Sequence, residues 1–264
     1  MTFDTIEWTS RALTALRRLG AHRSRPMPID VVNSQAQLED ALSRSTPVVV
    51  RLDLADHFDL QRTAELVPEQ VPVATGDYEH SYDTSLELMR YRDYLQLLAR
   101  AETEDGPPPE QAPPYLRAAR FGGGFDLLAR TPRRLGLSEL FGAEVCEQPL
   151  LWAGLQRSAS VAHVDIFDNL AIGLRGTKVF RLWHASDLGL DDYRPGCPRG
   201  RFWTCHGQLP PPHATVELRP NTGLVLPAGW IHEVRATGVT VMVNFFSTGC
   251  EPRSFTALRR AAAS

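Results

Sequence analysis

From Pro149 onward the chain alternates short apolar, β-branched runs with turn residues. PLLWAGLQ, SVAHVDI, NLAIGLRG, TKVFRLWH, ATVELRP, GLVLPAG, IHEVRAT and VTVMVNFFST read as strands. Arg157-Ser158, Gly176, Pro220 to Gly223, Ala228-Gly229 and Gly238 supply the turns between most of them. Such a series predicts an all-β barrel or jelly roll over 149–248. A 29-residue insertion, 185–213, interrupts it and is rich in Gly, Pro and aromatic residues. Ordered insertions of that kind commonly act as lids.

The N-terminal half has a different pattern. Trp8, Leu13, Leu16 and Leu19 fall near helical spacing, and 35–44 predicts a second helix. PVVVRLDL (47–54) reads as a buried strand, and 66–79 as another, turning at Gly76-Asp77. Residues 84–101 predict one amphipathic helix, with Leu86, Met89, Tyr94, Leu97 and Leu98 as its stripe. The prolines of 104–114 make a loop, the glycines of 121–124 a flexible point, and 131–142 a short helix. The expected fold is mainly β. A double-stranded β-helix of the jelly-roll or cupin kind (149–248) follows an N-terminal α/β extension (1–148), and a short tail (249–264) ends the single domain.

Composition narrows the function classes. Net charge is −3 and the pI near 6.2, which disfavours nucleic acid as a partner. No apolar run is long enough to span a bilayer, and the first residues lack an apolar signal core, so a cytoplasmic protein with no membrane partner is expected. Cys146, Cys197, Cys205 and Cys250 form no C-x-x-C pair; inert thiols are the simplest reading. Of 28 basic residues only Lys178 is a lysine.

The candidate chemistry starts at His163-Val164-Asp165. Residues i and i+2 of a strand share a face, so an imidazole and a carboxylate point into the barrel together. Alone the triplet is a weak signal, and His232, at a turn in LPAGWIHEV, read alone is a core histidine. Together they make a two-histidine, one-carboxylate set, which leaves coordination positions open and suits non-haem Fe(II). Lys178 opens the strand TKVFRLWH; a buried ammonium there requires an anion, whereas a lysine that snorkels requires none.

The ordered stretches HVDIFDNLAIGLRGTKVFRLW, LPAGWIHEV and VNFF resemble the JmjC group of cupin-fold oxygenases, and within it the asparaginyl hydroxylase branch. The resemblance covers about 149–248 well and the N-terminal half loosely. It implies Fe(II) held by His163, Asp165 and His232, with 2-oxoglutarate as co-substrate and O2 as oxidant. It implies that Lys178 pairs with the distal carboxylate of 2-oxoglutarate, joined by Ser160 and Tyr115. Asn169 and Asn244 lie at its metal-bound end. Trp152, Phe167, Trp230 and Phe245 are candidates for an apolar wall. Each polar residue keeps a structural alternative: Ser160 as a turn cap, the two asparagines as backbone partners, Tyr115 as core.

The implied activity is hydroxylation of an unactivated C–H bond on a peptide or protein side chain. The alternatives are a tailoring hydroxylase of a small natural product and a non-catalytic metal-binding cupin. Arg194, Arg199 and Arg201 offer a local patch for an acidic group. A monomer or a homodimer fits the short C-terminal tail.

Overall fold

The C-terminal strands differ in how many apolar faces they carry: β9 (Asn169–Arg175) is buried along almost its whole length and so is covered on both sides, whereas β13 (Ala214–Leu218) alternates buried and exposed positions. A computed structural model describes residues 29–54, 58–75, 86–103, 113–120, 126–141, 144–145, 148–165, 167–189, 192–195 and 202–248. The helix read around Trp8 to Leu19, the Gly76-Asp77 turn, most of 104–114, the 121–124 glycines, the tail, Cys146, Cys197, Cys250, Arg199, Arg201 and the side chain of Arg194 lie outside the described residues.

All eight predicted strands form: β7 (Leu150–Gly154), β8 (Ala159–Asp165), β9 (Asn169–Arg175), β10 (Lys178–His184), β13 (Ala214–Leu218), β14 (Thr222–Leu226), β15 (Trp230–Ala236) and β16 (Thr240–Thr248). They alternate between two antiparallel layers, β14-β9-β16-β7 and β8-β15-β10-β13, which is the strand order of a jelly roll. N-terminal strands extend the first layer. β1 (Val31–Val32) and β2 (Val48–Arg51) join beyond β14; β5 (Tyr115–Arg120), β3 (Gln70–Ala74) and β4 (Leu86–Arg90) join beyond β7. Short β6 (Glu144–Val145) pairs with the end of β16.

The core follows the two-residue period. Leu170, Ile172 and Leu174 of β9 face outward into a core cluster that also holds Tyr94 and Leu98 of the helix Tyr91–Thr103. Ala171 faces inward with Phe180, Leu182, Leu224, Leu226 and Trp230. The helix Gln35–Ser43 is capped by Ser34, whose hydroxyl accepts from the Gln37 N–H.

Two predictions are corrected. The 84–101 helix begins only at Tyr91. Residues 86–90 are instead an edge strand paired with β3, leaving Leu86 and Leu88 exposed. Periodicity alone did not reveal that a strand edge was open to receive them. The insertion 185–213 is not simply a loop. It holds the strands β11 (Tyr193–Pro195) and β12 (Phe202–Cys205), and β12 pairs with β8. Leu188, Tyr193 and Leu209 cover Val164, Trp183 and Ile231 on the outer face of the small sheet, so this part backs the barrel.

Two glycines set the strands that matter most below. Gly229 takes φ +89° just before β15, and Gly176 takes φ +63° just before β10. Side chains rarely adopt such backbone.

Candidate metal centre

β8 delivers His163 and Asp165 on one face, and β15 delivers His232 directly opposite His163. One ligand atom from each of the three residues lies within 4.8 Å of the others. His163 and His232 are buried, and the Asp165 side chain is 13% exposed. Both imidazoles are oriented alike: Nδ1–H of His163 donates to the Val161 carbonyl at 2.7 Å, and that of His232 to the Trp230 carbonyl at 3.1 Å. That tautomer leaves each Nε2 as a lone-pair donor. His232 Nε2 is 3.6 Å from Asp165 Oδ2, and the two imidazole centroids are 4.1 Å apart.

The electrostatics suit a cation. Burial holds His232 down at about 4, against the lift from the Trp230 carbonyl. Burial, with the His232 charge, holds His163 well below its usual value. Both rings are therefore neutral near pH 7. Burial pushes Asp165 up to about 7, so a divalent ion would offset the cost of ionising it. Two neutral imidazoles and one carboxylate fit a divalent transition metal.

A second polar cluster lies deeper in the barrel. Lys178, 3% exposed, donates to the Tyr115 hydroxyl at 3.1 Å, and its ammonium sits 4.9 Å from the Tyr115 ring centroid. Burial acts to raise the Tyr115 phenol. The charge and hydrogen bond of Lys178, the charge of Arg117 and a bond with Ser160 outweigh it, so the phenol is lowered overall. Ser160 reaches this cluster through an irregularity. Residues three apart on a regular strand face opposite ways. Between His163 and Ser160 of β8, however, the pairing with β15 shifts, with Val161 and Ala162 opposing the single residue Glu233. The bulge returns Ser160 to the interior.

Asn169 and Asn244 are buried on β9 and β16. Asn244 Oδ1 accepts from the Trp152 indole at 2.8 Å, while Asn169 Oδ1 is buried without a hydrogen-bond partner among the described residues. The donors that fit an anionic co-substrate are the Lys178 ammonium and the hydroxyls of Tyr115 and Ser160. Trp152 also packs on Tyr115. Two of the aromatic wall candidates belong elsewhere. Phe245 lies in the outer core with Val243, because alternation along β16 turns it away from the barrel interior, and Phe167, in the turn between β8 and β9, packs on the outer face of the small sheet.

The sequence reading missed two residues. Arg117, 7% exposed, lies two positions after Tyr115, with its guanidinium 5.4 Å from that ring centroid and donating to the Ala159 carbonyl. The strand period from Tyr115 would have found it. Asp168, 4% exposed, accepts the Ala228 N–H, and burial pushes its carboxyl up to about 6; the sequence held no signal for that contact. Cys205 is a half-buried free thiol pushed up to about 12 by burial and by Asp192.

Among known families, the model of the cupin-like domain matches residues 33–190. Among solved structures, the E. coli protein ycfD aligns at 15% identity with a TM-score of 0.48, covering 80% of this chain and 52% of that one. The chain thus spans about half the length of ycfD. No curated protein matches. Among the described residues no helix is long and apolar enough to cross a membrane.

Proposed function

We propose, for a chain that belongs to the cupin-like domain family, that it is an Fe(II)- and 2-oxoglutarate-dependent oxygenase. The observation that carries this reading is the His163, Asp165 and His232 cluster sharing a barrel with the buried Lys178–Tyr115 pair. Bound there, ferrous iron with 2-oxoglutarate supplies the oxidising power to hydroxylate an unactivated C–H bond with O2.

The chain's own residues provide the rest. His163, Asp165 and His232 hold the metal and leave its remaining positions to other ligands. Lys178, with the hydroxyls of Tyr115 and Ser160, takes the distal carboxylate of 2-oxoglutarate by charge-assisted hydrogen bonds. Asn169 and Asn244 offer amides near the metal-bound end. Phe180 and Trp230 exclude water from the interior.

The substrate is a peptide or protein side chain, on the resemblance to the asparaginyl hydroxylase branch. Anaerobic addition of Fe(II) and 2-oxoglutarate should produce a metal-to-ligand absorption band, absent in His163→Ala. Aerobic incubation should release succinate. Neither band nor succinate would sink the oxygenase reading. Peptides that gain the mass of one oxygen, and small acids that do not, would support the peptide assignment.

A further inference from the structure

Asp168, in the turn after β8, ties that turn to the one before β15 and to β16. Its Oδ1 accepts the Ala228 N–H at 2.8 Å, in the turn that leads into β15 and His232. Its backbone carbonyl accepts the Ser247 N–H at 2.9 Å, and its N–H donates to Ser247 Oγ at 3.1 Å, three residues past Asn244 on β16. One residue along the same turn, the Gly229 N–H donates to the Asp165 carbonyl at 3.3 Å. Asp165 and His232 come from different strands, and these two bonds are the stitches between the turn after β8 and the turn before β15. The Ala228 N–H is buried, so losing its acceptor favours a different path for that turn.

Resting on the metal-centre reading, we infer that Asp168 is a positioning residue of the metal site. Through Ala228 it sets the separation of Asp165 and His232. It touches no metal and acts through the backbone of both ligand-bearing strands.

The test is titration of the full chain with Co(II) at pH 7.5, read by visible absorption, alongside the melting temperature. Asp168→Ala should weaken Co(II) binding on the order of 10- to 100-fold, the usual effect of removing a group that orients metal ligands. Asp168→Asn keeps an oxygen at Oδ1 and should bind within roughly three-fold of the wild type, which loss of packing alone would not restore. Should Asp168→Ala fail to fold, Ser247→Ala, which removes the acceptor of the Asp168 N–H, should lower the affinity by a smaller factor. Asp168→Ala, or failing it Ser247→Ala, binding within two-fold of the wild type overturns the inference alone. So does Asp168→Asn as weak as Asp168→Ala. A wild type that takes up no Co(II) overturns the metal-centre reading and this inference with it.

Discussion

The Lys178 ammonium donates to the Tyr115 hydroxyl at 3.1 Å, joining the first residue of β10 to the first of β5. Both side chains are almost wholly buried. A lysine so placed is costly without an anion, and the phenol alone is a weak partner. A carboxylate entering the pocket would meet both groups at once.

The two contacts should separate in magnitude. Hydrogen bonds to charged groups contribute roughly 1.5–3 kcal/mol, and Lys178 brings a full charge to the carboxylate where Tyr115 brings one neutral donor. Lys178→Ala should therefore raise the 2-oxoglutarate Kd by about 100-fold, the upper end of that range, and Tyr115→Phe by about 10-fold, the lower end. Anaerobic equilibrium binding with Mn(II) in place of iron measures both. Equal, small effects would remove the co-substrate from this pocket.

Metal affinity should depend on pH through one proton. Burial pushes Asp165 up to about 7, while it holds His232 down at about 4 and His163 well below its usual value, so the carboxyl is the group that still carries a proton as pH approaches 7. Binding requires the carboxylate, so each ion displaces the Asp165 proton below pH 7. The Co(II) association constant should rise about ten-fold per pH unit from 5 to 7 and then level off. Isothermal titration at several pH values gives the slope. A slope of two would mean that a histidine is protonated as well.

Much of this architecture is legible from the chain because its cause is local. The eight strands follow from alternation and turn residues, and His163 and Asp165 share a face because they are two apart. What was hidden depends on partners far away. The inward turn of Ser160 comes from the bulge against β15. The strand at 86–90 exists because β3 offers an open edge, although its residues also suit a helix. β5 carries a similar slip: its pairing with β7 shifts between Leu116 and Ala119, Ala118 takes φ +51°, and the Tyr94 hydroxyl donates to the Ala153 carbonyl and accepts the Leu116 N–H. Tyr115 reaches Lys178 from the start of this strand. The sequence spacing of Tyr115 from the β-helix carries no trace of that contact.

Tyr94 should accordingly matter for both stability and site. Tyr94→Phe leaves the Ala153 carbonyl and the Leu116 N–H without this hydroxyl, at a cost of about 1–3 kcal/mol for an unsatisfied buried group. Urea unfolding should show that loss. Because β5 carries Tyr115, 2-oxoglutarate affinity should fall with it. Unchanged stability would mean that the two groups pair with each other.

Asp168 should leave a pH signature on stability. Its folded value of about 6 lies above the unfolded value near 3.8, so the folded state binds more protons between them. The contribution of this group therefore falls as pH rises from about 4 to 6, and stays low above that. The ceiling is about 3 kcal/mol at 1.4 kcal/mol per pKa unit. Asp168→Asn removes that dependence. In metal-free protein, the stability of the variant relative to the wild type should climb from pH 4 to pH 6 and then hold constant. Asp165 contributes equally to both proteins and cancels. A constant difference across that range would place the titration elsewhere.

Gly176 tests how closely the β9–β10 turn controls Lys178. The residue adopts φ +63°, and a Cβ there would stand 2.0 Å from the Val239 carbonyl oxygen. That neighbour is backbone, and it is stitched in place: the N–H and hydroxyl of Thr237 both donate to the Thr177 carbonyl, at 3.2 and 3.0 Å. Relief of the clash must part the two turns and move Lys178, two residues on. The left-handed backbone alone costs roughly 1–2 kcal/mol for a residue with a Cβ. With the clash added, Gly176→Ala should destabilise by about 3 kcal/mol or more, in the range of overpacked cores. It should also weaken 2-oxoglutarate binding in whatever fraction still folds. Gly238 in the facing turn is the control, because a Cβ there meets nothing within 4 Å. Gly238→Ala should change neither the unfolding midpoint nor the 2-oxoglutarate Kd. If the two variants behave alike, close approach at Gly176 does not hold the lysine in place.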